Sequence, residues 1–205
     1  MTAPITIVFP VFPGVTQLDF TGPYQVLVRT PVSSSGLTFS ELARLEDVER
    51  CDVICVPGGN VVEAMLNKPL VANIRRLALG ARYVTSVCTG SLILGAAGVL
   101  HGKRSACHWA YRDLLPIFGA IPDPARVVRD GNFISGGGVT AGIDFALTLA
   151  AELTDAPAPP LEAGRPDIAP GEVLSRVQER YAGMLAPHRA VAEQIAAANR
   201  RDTPL

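Results

Sequence analysis

No unbroken apolar run in this chain approaches the roughly 18 residues that a membrane-spanning helix needs, although 48% of its residues are hydrophobic. Neither sign of charge dominates. The 18 Lys and Arg stand against 19 Asp and Glu, and the net −1 gives no general attraction to nucleic acid or anionic lipid. Histidine is scarce, at three, and there is one tryptophan. The four cysteines, Cys51, Cys55, Cys88 and Cys107, include no pair at the C-x-x-C spacing of a zinc or thioredoxin-type site, and 205 residues are too many to need disulfide staples. The opening Met1-Thr2-Ala3-Pro4-Ile5 lacks the basic stretch and apolar run of a secretory leader. These absences lead us to expect a reduced, cytoplasmic protein with no membrane and no nucleic-acid partner. With 18% charged residues the chain is not of disordered composition, and it can build a core.

What is present reads as α/β. Ile5 to Phe9 is a first strand, ended by Pro10 and Pro13. Leu18 to Pro23 then reads as a turn into a helix, with Thr21 placed to cap it and Pro23 in its first turn. Asp52 to Val56 is a strand running into Pro57-Gly58-Gly59, with Cys55 as core. Val61 to Leu66 and Leu70 to Leu79 have helical patterning, and Tyr83 to Cys88 is a buried strand. Val127 to Ile134 is a hairpin with an Asp130-Gly131 turn, and Thr140 to Leu153 is a strongly apolar helix. Apolar strands alternating with helices imply a mostly parallel sheet covered on both faces, with its site at the C-terminal ends of the strands. The turns at Asp19, Gly58-Gly59, Cys88 and Gly136 to Gly138 all follow strand signals and are expected to converge.

Ala156-Pro157-Ala158-Pro159-Pro160 marks a change of character. Residues 1–155 are expected to form the main domain, and 156–205 a Pro-rich connector with a helical extension. That extension is amphipathic from Pro170 to Arg201 and broken near Pro187, and it packs either on its own domain or on a second subunit. No helix-turn-helix module follows it.

Chemistry concentrates at Cys88. A cysteine between an apolar strand and the small residues Thr89-Gly90-Ser91 sits at a sharp strand-to-helix turn, with its sulfur expected to be exposed and its ionisation eased by the helix N-terminus. Asp19 lies between Leu18 and Phe20, an apolar setting that raises a carboxyl pKa, so it can act as general acid or base; its alternative role is a cap or turn. The N–H groups of Gly58-Gly59 could face an anion developing beside Cys88, or the pair is only a turn. His108 offers a Cys–His alternative to Cys88–Asp19, against a structural hydrogen-bonding role. Phe20, Tyr24 and Trp109 are either pocket wall or core.

Six segments in order then carry a resemblance. Gln17-Leu18-Asp19-Phe20-Thr21-Gly22-Pro23, Val56-Pro57-Gly58-Gly59, Ser86-Val87-Cys88-Thr89-Gly90-Ser91, Ala106-Cys107-His108-Trp109, Val128 to Asn132 and Thr140 to Leu147 resemble the PfpI-like superfamily of class I glutamine-amidotransferase-like proteins, and within it the isocyanide hydratases. The resemblance implies a flavodoxin-like three-layer sandwich with a mostly parallel central sheet, a homodimer, no metal and no organic cofactor. It implies a cysteine-dependent hydro-lyase acting on an isocyanide, with Cys88 as nucleophile, Asp19 in proton transfer and Thr89 beside the nucleophile. Gly58, Gly59, Phe20 and His108 are then expected to line the substrate site. Asp19 and Thr89, where the proteases and deglycases carry a glutamate near the cysteine or a histidine after it, favour the hydratase branch. Those other activities remain alternatives, as does a non-catalytic ligand or oxidation sensor like the sensor domains of AraC-type regulators. The chain departs from the family pattern twice: it lacks a second strand near Val28-Arg29-Thr30, and a helical segment between Leu153 and Ala156.

Overall fold

The computed structural model describes residues 5–27, 42–154 and 171–201. At its centre lie the two strands with the most continuous apolar sequence, β2 (Val53–Val56) and β3 (Tyr83–Val87), in which every residue is buried. Outside β2 lies β1 (Ile7–Val8), and outside β3 lie β7 (Phe133–Gly136) and the edge strand β6 (Val127–Asp130), giving the order β1-β2-β3-β7-β6. The first four are parallel and β6 is antiparallel to β7, the two joined across Gly131-Asn132 as the hairpin reading requires. A separate pair, β4 (Arg104–Ser105) and β5 (Ile121–Pro122), lies to one side.

Helices cover both faces because alternate strand residues point to opposite sides. Ile54, Val56 and Val84 join the larger core, built with α2 (Val62–Leu66), α3 (Lys68–Gly80), α4 (Gly90–Ala96) and a 3-10 stretch at Arg112–Phe118. Val53, Cys55, Tyr83 and Val87 join a second core against α5 (Ala141–Thr154), which in turn packs on α1 (Gln17–Leu27). The result is the three-layer, flavodoxin-like sandwich. Cys55 is core, as its setting suggested.

Two local readings are corrected. The first helix starts at Gln17 rather than after Thr21, so Asp19 lies in its first turn and Pro23 in its interior. Proline there removes the N–H that would otherwise reach the carbonyl of Asp19. The C-terminal helix α6 (Gly171–Arg201) passes through Pro187 without a break. The residue four positions back is Gly183, which is exposed, so the carbonyl left without the Pro187 N–H is open to water. This helix docks on its own domain. Ala192 and Ala196 enter the larger core, and buried His188 stacks on Tyr111 with ring centroids 4.8 Å apart. The missing second strand near Thr30 and the connector 155–170 lie outside the described residues.

Candidate active site

The register sets the site. Val56 pairs with Ser86, and Val87 with Gly136, so β2, β3 and β7 end at the same edge of the sheet. One residue past β3, Cys88 turns into a left-handed backbone conformation with φ 60, the one described non-glycine residue with positive φ. Its N–H stays tied to β7, donating to Gly136 O at 2.9 Å. The strained strand-to-helix turn is thus as the sequence suggested.

The exposure and the acidity of the thiol are not. Cys88 is only 5% exposed and lies in the second core with Val87, Ile134 and Phe145. The approach of α5 explains the cover, because its Phe145 and Ala146 are fully buried in the same core as Cys88. Burial, then the Asp19 carboxylate, then Cys107, push the Cys88 pKa well above that of a free thiol, and a hydrogen bond with the Thr89 backbone offsets only part of this. The favourable helix-terminus effect is outweighed, because α4 is only seven residues long and the thiol has lost its water.

Asp19 is fully buried. No described donor meets either carboxyl oxygen at full hydrogen-bond geometry. Burial raises its pKa from 3.8 to about 6, while the facing Cys88 thiol and Gly58 N–H favour the ionised form less strongly. Asp19 and Cys88 therefore form one coupled acid pair.

Thr89 is locked in place. Its hydroxyl accepts from Gly59 N–H and donates to Gly59 O, both at 2.9 Å. The Gly59 N–H is thus committed to Thr89 rather than to an anion beside Cys88, which corrects the expectation for that residue. Thr16 N–H bonds Gly58 O at 2.8 Å, fixing the Gly58-Gly59 turn to the entry of α1. Phe20 is half-buried and meets Phe9 edge-on at 5.2 Å and Tyr24 at 5.3 Å, forming an aromatic cluster beside Asp19 in sequence. His108 accepts from Ala110 N–H through Nδ1 at 3.3 Å, and burial lowers its pKa, which keeps the ring neutral. Trp109 is 41% exposed and is not core.

Sequence reasoning passed over two buried neighbours, Ser91 and Cys107. Ser91 Oγ donates to Cys88 O at 3.3 Å, and the Cys107 sulfur faces that same hydroxyl. Their signal was their place inside the two segments that also hold Cys88 and His108. Two surface clefts of about 280 and 360 Å³ lie instead between the loop after β1 and helices α2 and α3, lined by Phe12, Pro13, Asn67 and Leu70, and they include neither Asp19 nor Cys88. Among the described residues no three His, Cys, Asp or Glu side chains gather to hold a metal, and no helix is long and apolar enough to cross a membrane.

With this geometry in view, residues 5–152 match the model of the DJ-1/PfpI family, which spans the sheet and every residue of the Asp19–Cys88 site. The chain belongs to the DJ-1/PfpI family. It is 48% identical over 221 aligned residues to an isonitrile hydratase of Pseudomonas putida, covering 94% of this chain and 97% of that protein. The alignment is longer than the 205-residue chain, so this relative carries residues with no counterpart here. A solved THiJ/PfpI family protein from Pseudomonas syringae superposes with a TM-score of 0.78 at 35% identity, over 92% of this chain and 91% of that one. A deglycase of Thermococcus kodakarensis is 35% identical over 48% of this chain and 58% of its own length.

Proposed function

We propose that this protein is an isocyanide hydratase that adds water to R–N≡C through a covalent Cys88 thioimidate, with Asp19 carrying the protons. The observation that supports this reading most is the buried carboxyl set against a buried thiol on a strained turn, in a chain 48% identical to an isonitrile hydratase. Near pH 7 a carboxyl with a pKa of about 6 is mostly ionised, while the thiol keeps its proton. Asp19 is then the base and Cys88 the protonated nucleophile.

The chemistry balances with these two groups and water. Asp19 takes the thiol proton as sulfur bonds to the terminal carbon, and it delivers that proton to the same carbon, giving R–N=CH–S–Cys88. Water adds to this carbon while nitrogen gains a proton, with Asp19 relaying it. Collapse breaks the C–S bond, releases R–NH–CHO and returns the proton to sulfur. The narrow, linear N≡C end suits a sulfur that is almost enclosed, and the low-polarity surroundings favour attack by a desolvated nucleophile. Thr89, pinned to Gly59, keeps the Gly58-Gly59 turn against Asp19.

We propose the α1–α5 face as the docking surface for a second copy of the chain. Leu18 and Ile143, 42% and 43% exposed, flank Gly22, and Leu147 is 37% exposed one turn beyond Ile143. We read this apolar stripe as the face of a cytoplasmic homodimer. The test of the function is formamide production from p-nitrophenyl isocyanide by wild type, Cys88→Ala and Asp19→Ala. Turnover in the wild type, abolished in the first variant and strongly reduced in the second, is expected. No wild-type turnover with Cys88 still open to thiol reagents would instead favour a deglycase activity, tested with methylglyoxal.

A further inference from the structure

The left-handed conformation of Cys88 is one that a residue with a Cβ holds only where its surroundings impose it. On the N–H side Gly136 O imposes it. On the carbonyl side the partner is the hydroxyl of Ser91, which is fully buried and has a single proton to give. That proton is spent on Cys88 O, so both sides of the Cys88 peptide are held from within a buried space.

We infer that Ser91 is a positioning residue for hydration at Cys88: its O–H bond to Cys88 C=O holds the strained peptide so that the thiol stays against Asp19. The inference rests on the hydratase reading for its activity arm only. A serine in the first turn of a helix often bonds a carbonyl three residues back as local structure, so the test needs a readout that packing alone would not move. Without the Ser91 hydroxyl, Cys88 relaxes out of the left-handed region and its thiol moves away from the Asp19 carboxylate. The thiol then becomes easier to ionise while turnover falls.

The experiment follows alkylation of Cys88 by iodoacetamide against pH, read on the Cys88 peptide by mass spectrometry, together with kcat and KM for p-nitrophenyl isocyanide. For Ser91→Ala the expected result is a fall in kcat of about tenfold, the scale of one hydrogen bond. KM stays within about twofold, and the alkylation profile shifts to lower pH. Ser91→Thr, which keeps the hydroxyl, restores both. An unchanged alkylation profile overturns the inference whether or not kcat falls. If Ser91→Ala does not fold, Ser91→Cys, a weaker donor of nearly the same size, is read in the same way. If the wild type hydrates no isocyanide, the alkylation arm still decides the positioning role, so the two failures are separable.

Discussion

The Asp19 carboxyl and the Cys88 thiol face one another in a space closed to water, and burial raises the pKa of both. Two acids so placed divide a proton by their surroundings. The carboxyl, raised only to about 6, gives it up first, and the thiol holds it until an electrophile arrives.

The first consequence is a pH profile. Below about pH 6 Asp19 is protonated and cannot accept the thiol proton, so kcat/KM is expected to rise through pH 6 and level off above it. The rise should vanish in Asp19→Asn, with activity lower by about 10²–10⁴-fold, the usual contribution of a general acid or base. Initial rates between pH 4.5 and 8.5 check this. A rise at the pH of an ordinary free thiol would point to thiolate formation without Asp19.

Stability should move the other way. A carboxyl whose folded pKa lies above its unfolded value favours folding fully below the unfolded pKa, near 3.8, and that contribution is lost as pH rises through about 6. Above pH 6 the folded protein therefore carries the cost of an ionised buried Asp19, up to about 3 kcal/mol for a shift of this size. Asp19→Asn is expected to be more stable than wild type at pH 8 and no more stable near pH 4. Urea unfolding of both proteins at the two pH values measures the difference.

Much of this was legible in the residues. The apolar run Tyr83 to Val87, a cysteine and then small residues encode the strained turn at Cys88, because only a buried strand leading straight into a helix suits that order. The Asp130-Gly131 hairpin was equally direct. Burial of the Cys88 sulfur was not, since it depends on α5 bringing Phe145 and Ala146 into the core beside the end of β3, a tertiary contact with no local signature. Pro23 and Pro187 misled because a proline that costs a helix one hydrogen bond need not end it where packing holds the helix, as α1 is held against α5 and the last turns of α6 in the larger core. The His108–Nδ1 bond to Ala110 and the Ser91–Cys88 bond likewise appear only once the turns are folded.

Thr89 offers a clean substitution. Thr89→Val keeps the shape and removes the hydroxyl that serves both the N–H and the carbonyl of Gly59. We expect a loss of about 1–3 kcal/mol, the cost of leaving such groups without a partner, and a fall in turnover as the Gly58-Gly59 turn loosens against Asp19. Thr89→Ser should retain most of both. Denaturant midpoints and kcat for the three proteins give the comparison.

Gly58 tests the spacing of the pair. A Cβ there would lie 2.6 Å from Thr89 N, 2.7 Å from Thr89 Oγ1 and 2.8 Å from Asp19 Oδ2. Moving the carboxyl cannot relieve the contact with the backbone nitrogen, so the Gly58 and Thr89 turns must shift and the carboxyl with them. Gly58→Ala is expected to cost about 1–3 kcal/mol by overpacking and to cut turnover by about 10²-fold, as a misplacement near 1 Å does. A variant that is destabilised yet fully active would show that the Asp19 position is not critical.

The central claim is the covalent bond to Cys88, and acid-quenched single-turnover mass spectrometry with an aryl isocyanide tests it most directly. The expected result is a transient adduct equal to one isocyanide, mapped to the Cys88 peptide, decaying at the rate at which formamide appears and absent in Cys88→Ala. Formamide release with no adduct on Cys88 at any time, or with an adduct on Cys51, Cys55 or Cys107 instead, would contradict it.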